Sequence, residues 1–226
     1  MQRRSFKQAL LGIFTLSLLS GCAQKFAMAP ETEVYQQNKI IPKEISKEAK
    51  IALSYYPELA KVSIEFRFKE DIKKSFMQAQ PKFSNIFHGK NKRSYYVFIS
   101  SKVKIEHKDF TIKDIPPDVL IGWLGHELGH IMDYRDKSAF GLMIFGFRYV
   151  TSENHIMDAE RIADTYAVEH GMGDYILKTK NFILNHTDLS ESYKNRIKRL
   201  YLSPEEIVVL VNKLEEESEK EGLGEG

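Results

Sequence analysis

The sequence predicts one α+β domain, in which a small N-terminal sheet is followed by helices. Two observations support this fold class. Apolar and polar residues alternate over 62–68, as in a half-buried strand. From residue 118 onward, apolar residues instead recur at helical spacing. The 226 residues suit a single domain with a hydrophobic core, and contents of 42% hydrophobic and 28% charged residues are ordinary for a globular protein.

The N-terminal residues 1–21 are predicted to be a secretory signal. Arg3, Arg4 and Lys7 form a basic region, and the uncharged apolar stretch 9–19 follows it. That stretch is too short for a transmembrane helix. The basic run fits both a twin-arginine export signal and a plain basic region.

The signal ends in Leu19-Ser20-Gly21-Cys22, which resembles the lipobox of bacterial lipoproteins. The resemblance implies cleavage before Cys22 and its modification by acyl chains such as palmitate; an ordinary signal peptide with a chance cysteine is the alternative. Cys22 is the only cysteine, so no internal disulfide can form. The predicted location is the bacterial cell envelope, with a membrane anchor at Cys22. Ala23 replaces the aspartate that retains some lipoproteins at the inner membrane, which favours the outer membrane.

The first half of the mature chain alternates between polar and structured segments. Residues 22–41 are polar and lack a clear period, so we expect a tether. Apolar spacing over 42–56 predicts a helix. The alternating segment 62–68 and the apolar segment 95–99 predict two strands, and 103–105 a third.

The second half is predicted to be helical. Periodicity and capping residues indicate helices over 118–134, 153–170, 175–185, 190–200 and 204–220. The apolar segment 138–150 is too short to span a bilayer. We interpret it as buried or cleft-lining, with a surface that contacts lipid or a hydrophobic substrate as the alternative. The folded domain then covers 42–220, and a flexible tail covers 221–226.

The segment His126-Glu127-Leu128-Gly129-His130 is an H-E-x-x-H motif on a predicted helix. Residues four apart lie about 40° apart around a helix, so both histidines can bind one ion. Glu127 lies about 100° from His126 and can reach a water at that ion. Imidazole and carboxylate ligands suit zinc.

A third ligand is expected from residues 158–164. Glu160 and Asp164 share one helix face with Ala163 and Ala167, whose small side chains permit close helix packing. A solvated acidic face is the alternative reading of the two carboxylates. Asp133, one turn after His130, is the second choice for the ligand.

The two motifs, H-E-x-x-H and Glu160-x-x-x-Asp164, together resemble those of the gluzincin metallopeptidases. The resemblance implies a compact zincin-like domain with one Zn²⁺ per chain. It implies that His126, His130 and Glu160 bind the metal and that Glu127 is the catalytic base. It also implies that Asp164 accepts a hydrogen bond from a ligand histidine, His126 being the expected partner.

The predicted function is therefore zinc-dependent hydrolysis of peptide bonds, with a metal-bound water activated by Glu127. The partners are a peptide or protein substrate, expected along 95–99 as an edge strand, and the membrane. The alternative is an inactive zinc-binding or structural envelope lipoprotein that acts as a binding module. Nucleic acid is not expected, because the net charge is only +2 and no basic stripe is present.

Some other side chains were candidates for the site. His155 precedes the acidic motif, and His170 follows it. Tyrosines at three positions are candidates to stabilise an oxyanion: Tyr134, Tyr149 and Tyr166. A surface role for the histidines and a packing role for the tyrosines are the more ordinary readings.

Overall fold

The computed structural model describes residues 37–224, except 71, 73–74, 102, 105–108 and 187–188. The described chain is a mixed α+β protein in which a small four-stranded sheet is followed by helices, as predicted. The signal segment 1–21 and Cys22 lie outside the described residues.

The main sheet has the strand order β1-β2-β4-β3. Its strands are Lys39–Ile40 (β1), Ser63–Lys69 (β2), Met77–Pro81 (β3) and Ser94–Ser100 (β4). β1, β2 and β4 are parallel, and β3 pairs with β4 in the antiparallel direction. β3 is therefore an edge strand. Val103–Lys104 (β5) and Asp109–Phe110 (β6) form a separate antiparallel pair.

The helices are Ser46–Ser54 (α1), Pro117–Asp136 (α2), Ala139–Thr151 (α3), Glu153–Ala167 (α4), Gly173–Asn185 (α5), Glu191–Leu200 (α6) and Pro204–Gly224 (α7). α2 is the central element, because it contacts α1 and β3 as well as α4 and α5. Pro117 is its first residue, a position where a missing N–H costs nothing.

Besides the short β6, two strands of the main sheet lie where the sequence predicts none. β1 lies in the last residues of the expected tether, and it is too short to show a period. Lys39 Nζ stabilises β1 by donating hydrogen bonds to the carbonyls of Leu59 and Val62, at 2.9 and 2.7 Å. β3 alternates buried and solvent-facing side chains, but it contains glutamine and alanine and no β-branched or aromatic residue that would indicate a strand in the sequence.

Two helix ends also differ from expectation. α4 ends at Ala167, and a five-residue π-helical turn, Val168–Met172, leads into α5. Gly171 within that turn has φ +81°, a conformation that favours glycine. α7 continues to Gly224, into the segment predicted to be a flexible tail, and the ion pairs Lys213–Glu217 and Glu216–Lys220 support its last turns.

Within the described part of the chain, no helix is both long and apolar enough to cross a membrane.

Candidate metal centre

α2 presents the two histidines of the motif on one face, toward α4. Both side chains are buried, and their ring centroids are 4.7 Å apart. From α4, Glu160 Oε2 lies 3.1 Å from His126 Nε2 and 3.2 Å from His130 Nε2. One ligand atom from each residue lies within 4.8 Å of the other two. The three side chains could therefore hold one metal ion.

The donor set agrees with zinc, which accepts imidazole nitrogen and carboxylate oxygen in sites of three protein ligands. The carboxylate of Glu160 is also held from its other side, where the Tyr149 hydroxyl donates to Oε1 at 2.6 Å. His130 Nδ1 is buried and has no hydrogen-bond partner among the described residues. The three residues thus fit a metal ion by both geometry and chemistry, and they are compatible with zinc.

A buried carboxylate fixes the orientation of the His126 ring. Asp164 Oδ1 lies 2.8 Å from His126 Nδ1, the contact expected between Asp164 and a ligand histidine. Asp164 is fully buried and also accepts from Lys180 Nζ at 2.8 Å and from the Leu202 amide at 3.1 Å. Such a bond leaves Nε2 free to bind a metal and makes the imidazole a stronger ligand.

Small residues bring these helices close together. A Cβ added at Gly129 would lie 2.4 Å from the Ala163 carbonyl oxygen of α4. A Cβ at Gly122 would lie 2.3 Å from the Tyr175 carbonyl oxygen of α5. The glycines of α2 therefore lie where α4 and α5 approach it closely. The approach lets carboxylates of α4 reach the histidines, and it lets Lys180 of α5 reach Asp164.

Glu127 lies beside the cluster and contacts the sheet. Its buried carboxylate accepts a hydrogen bond from the amide of Ala79 in β3. The carbonyl of Ala79 accepts from the Tyr134 hydroxyl at 3.3 Å. Both outward-facing backbone groups of this edge residue are thus bound by side chains of α2.

The electrostatics of the buried groups are set by their mutual contacts. Burial alone would lower the pKa of His126, but Asp164 and Glu160 outweigh it and raise the pKa to about 10. Burial opposes ionisation of Glu160, yet His130 and His126 hold its pKa well below the usual range. Burial raises the pKa of Glu127, and the two histidines offset this only in part. Without a metal, His126 is therefore an imidazolium paired with two carboxylates.

A cavity of about 770 Å³ adjoins the cluster. Glu127, His130 and Glu160 lie in its wall together with residues of β3 and one side of α3. Arg196 of α6 also lines it, and the buried Nε of Arg196 has no hydrogen-bond partner in the described part of the chain. The cavity thus offers a cation as well as the carboxylates.

The sequence does not predict the place of three further residues at the centre. Lys180 occupies the buried face of α5, Arg196 lines the cavity, and the ring of Tyr201 lies 5.4 Å from that of His126. A lysine within the apolar stripe of a helix was the one available signal for Lys180. The other two belong to segments with no motif of their own.

The remaining candidates lie apart from the cluster or make other contacts. Asp133 forms an ion pair with Lys137 and is not among the grouped ligand atoms. The His155 ring packs on Phe145, and the His170 ring stacks on Tyr56.

The three tyrosines that are candidates for an oxyanion role also have other partners. Tyr166 donates to Asp136 at 3.0 Å, whereas the hydroxyls of Tyr134 and Tyr149 are engaged by Ala79 and Glu160.

Comparison of the chain with protein-family models, with curated proteins and with solved structures gives no match. The gluzincin resemblance therefore stays a prediction from the two motifs.

Proposed function

We propose that the protein is a zinc metallopeptidase that hydrolyses peptide bonds in the bacterial cell envelope. The observation that carries the proposal is the convergence of His126, His130 and Glu160 beside a cavity whose wall includes His130, Glu160 and Glu127. The expected lipid anchor at Cys22 supports a location at the membrane, with the outer membrane favoured.

In this proposal the two histidines and Glu160 hold the metal, and Asp164 keeps the His126 ring in position. A bound zinc ion would polarise the scissile carbonyl and lower the pKa of water toward neutrality. Glu127 accepts the proton of the attacking water and passes it to the leaving amine. Its burial favours this role, because a raised pKa brings a carboxylate closer to the operating pH.

The substrate strand is proposed to pair with β3. Our expectation from the sequence placed it along 95–99, but these residues belong to β4, which is paired on both sides. β3 is the edge strand and lines the cavity, so it has the open side that strand addition requires. A substrate at Ala79 would compete with Glu127 and Tyr134 for the backbone groups.

The contact between Glu127 and Ala79 favours a second candidate, an inactive zinc-binding or structural lipoprotein that acts as a binding module. There the carboxylate would simply join α2 to the sheet, and the cavity would bind a ligand without cleaving it. The two candidates assign different chemical roles to the same oxygen atoms.

Substitution of Glu127 by glutamine separates these roles. The amide oxygen of Glu127→Gln can still accept the Ala79 hydrogen bond, but it cannot take a proton from water. A peptidase should lose about 10²–10⁴-fold in kcat while its zinc content and stability stay unchanged. The readouts are cleavage of a peptide library, metal analysis and urea unfolding of the wild type and the variant.

Two outcomes would contradict the peptidase proposal. Wild-type protein with one zinc per chain but no cleavage of any library would favour the binding module. Cleavage that survives Glu127→Gln would remove Glu127 from the mechanism. Glu127→Ala serves as the comparison, because it removes both the proton acceptor and the hydrogen bond to the sheet.

A further inference from the structure

Helix α3 has apolar side chains on two opposite faces. One face packs inward, where Leu142 and Phe145 are buried and line the metal-centre cavity. Phe140, Ile144 and Phe147 follow one another at helical spacing on the other face, which we call the outer face of α3. They are 67%, 39% and 69% exposed, and none of them lines that cavity. A substrate in the cavity would therefore leave the outer face uncovered.

A second segment with exposed aromatic side chains, loop 82–93, lies beside the start of α3, and its Phe83 also lines the metal-centre cavity. Lys90 Nζ in this loop donates to the carbonyl of Asp136 at 2.6 Å, and Arg93 donates to the carbonyl of Lys137 at 2.7 Å. These contacts place the loop beside the start of α3. The loop exposes Phe83 and Phe87 by 77% and 68%. Exposed aromatic rings thus lie on two adjoining elements.

Within the two segments themselves, the charged side chains are all basic, and the acidic Asp136 and Glu153 lie just outside 138–152. Residues 138–152 contain no acidic residue and one basic residue, Arg148. Loop 82–93 also lacks acidic residues, and Lys90 and Lys92 are exposed in it. Aromatic and aliphatic side chains combined with cations suit the interface of a bilayer that contains anionic lipids.

We propose that the outer face of α3, together with loop 82–93, is a membrane-interface surface that rests on an anionic bilayer. α3 has 13 residues, so its length of about 20 Å allows it to lie on a bilayer but not to cross one. Residues 23–36 between the expected anchor and the described chain can extend at most about 50 Å. A lipid anchor at Cys22 would therefore keep this surface within reach of the membrane. The proposal does not depend on peptidase activity.

The single cysteine of the chain provides a direct test. Lipidation blocks the Cys22 thiol, so a cysteine introduced elsewhere in the full-length lipoprotein can be labelled alone. An environment-sensitive fluorophore is attached to Phe147→Cys, and the protein is placed in vesicles of phosphatidylethanolamine and phosphatidylglycerol. Lys178→Cys is the matched control, since Lys178 is exposed on α5. Lipids brominated on their acyl chains act as quenchers.

We expect the Phe147→Cys label to shift to shorter wavelength and to be quenched, whereas the Lys178→Cys label should show neither change. Equal behaviour of the two labels would overturn the proposal. A blue shift that requires high protein concentration but no vesicles would overturn it in favour of a second copy of this chain. A shift seen only with envelope protein extracts would overturn it in favour of a protein partner.

A second measurement keeps the proposal testable if Cys22 is not lipidated, which labelling of the wild-type thiol would reveal. In protein that lacks residues 1–21 and carries Cys22→Ser, flotation with the same vesicles measures binding without the anchor or the apolar signal segment. The double change Phe140→Ser and Phe147→Ser should weaken partitioning about tenfold or more, and vesicles of phosphatidylcholine should bind the parent protein less well. Unchanged partitioning of the double variant would refute the proposed surface.

Discussion

Where α2, α4 and α5 meet, the side chains in closest contact are charged or polar, whereas α3 directs phenylalanines toward solvent. The two regions thus depart from the usual distribution of side chains in opposite directions. Inside, Asp164 has three donors and Glu160 has contacts from two histidines and a tyrosine. Outside, Phe147 has no comparable cover. The buried charges require desolvation, and the exposed rings leave apolar surface in contact with water, which is why we assign a ligand to each region.

The largest effect should follow loss of the proposed third metal ligand. Glu160→Ala removes the carboxylate that contacts both histidines, so zinc bound by the full-length protein should fall from one ion per chain to nearly none. Metal analysis after dialysis measures this. Asp133→Ala is the control and should keep its zinc, because Asp133 lies outside the grouped ligand atoms. Zinc loss in the control alone would identify Asp133 as the ligand.

The next effect concerns the buried cation. Lys180→Met leaves the carboxylate of Asp164 without its lysine partner, so the free energy of unfolding should fall by about 3 kcal/mol. Lys178→Met removes an exposed ion pair on the same helix and should cost about 0–1 kcal/mol. Urea unfolding of both variants measures the difference. Similar losses would show that burial does not increase the contribution of the Asp164–Lys180 pair to the free energy of unfolding.

The two sides of α3 should differ just as clearly. Phe145→Ala empties a buried position and should cost about 3 kcal/mol. Phe147→Ala changes an exposed position and should alter stability by about 0.5 kcal/mol or less. Thermal or urea unfolding without lipid makes the comparison. A large loss at Phe147 would mean that another part of the chain covers the outer face.

The smallest effect is a pH dependence of the metal-free protein. The pKa of His126 rises from 6.5 to about 10 on folding, so the stability it contributes is complete below pH 6.5 and is lost as the pH rises toward 10. Between pH 6.5 and 8 the free energy of unfolding should fall by at most about 1.4 kcal/mol per pH unit. Burial also raises the pKa of Glu127, so its contribution to stability falls in the same direction as the pH rises from the ordinary carboxyl range. Lys39, whose pKa burial lowers to about 8, opposes the trend only above this range.

Zinc should reverse this trend, since the metal must displace the proton from His126 and binds better as the pH rises. Urea unfolding over the same pH range, with chelator and with excess zinc, tests both predicted directions of the change in the free energy of unfolding. Parallel curves would contradict binding of the metal at His126.

The sequence predicts the elements that have strong patterns and misses those fixed by distant contacts. The repeating apolar residues of α2 and the alternation in β2 were sufficient to place both elements. β1 exists because Lys39 reaches carbonyls some twenty residues away, which no local pattern encodes. The positions of Lys180 and Arg196 depend on how α5 and α6 pack, although each belongs to a predicted helix.

The sequence predicts the residues of the site better than it predicts the residues around the site. Two residues four apart on a helix must share a face, so His126 and His130 follow from spacing alone. That Glu160 reaches both rings follows only once Gly129 lets α4 approach α2. The partner of Glu127 was not foreseen, because Ala79 is an ordinary alanine in an unrecognised strand.

The left-handed Gly171 imposes a length constraint on the chain. Asp164 and Lys180 would lie about 24 Å apart along one continuous helix, yet they are in contact because the turn at Val168–Met172 reverses the chain. The contact therefore requires a separation of sixteen positions between the two residues. An extra residue in α5 ahead of Lys180 would rotate that lysine by about 100° and direct its charge away from the carboxylate. Insertions should therefore be tolerated poorly here, even though no residue of the turn binds the metal.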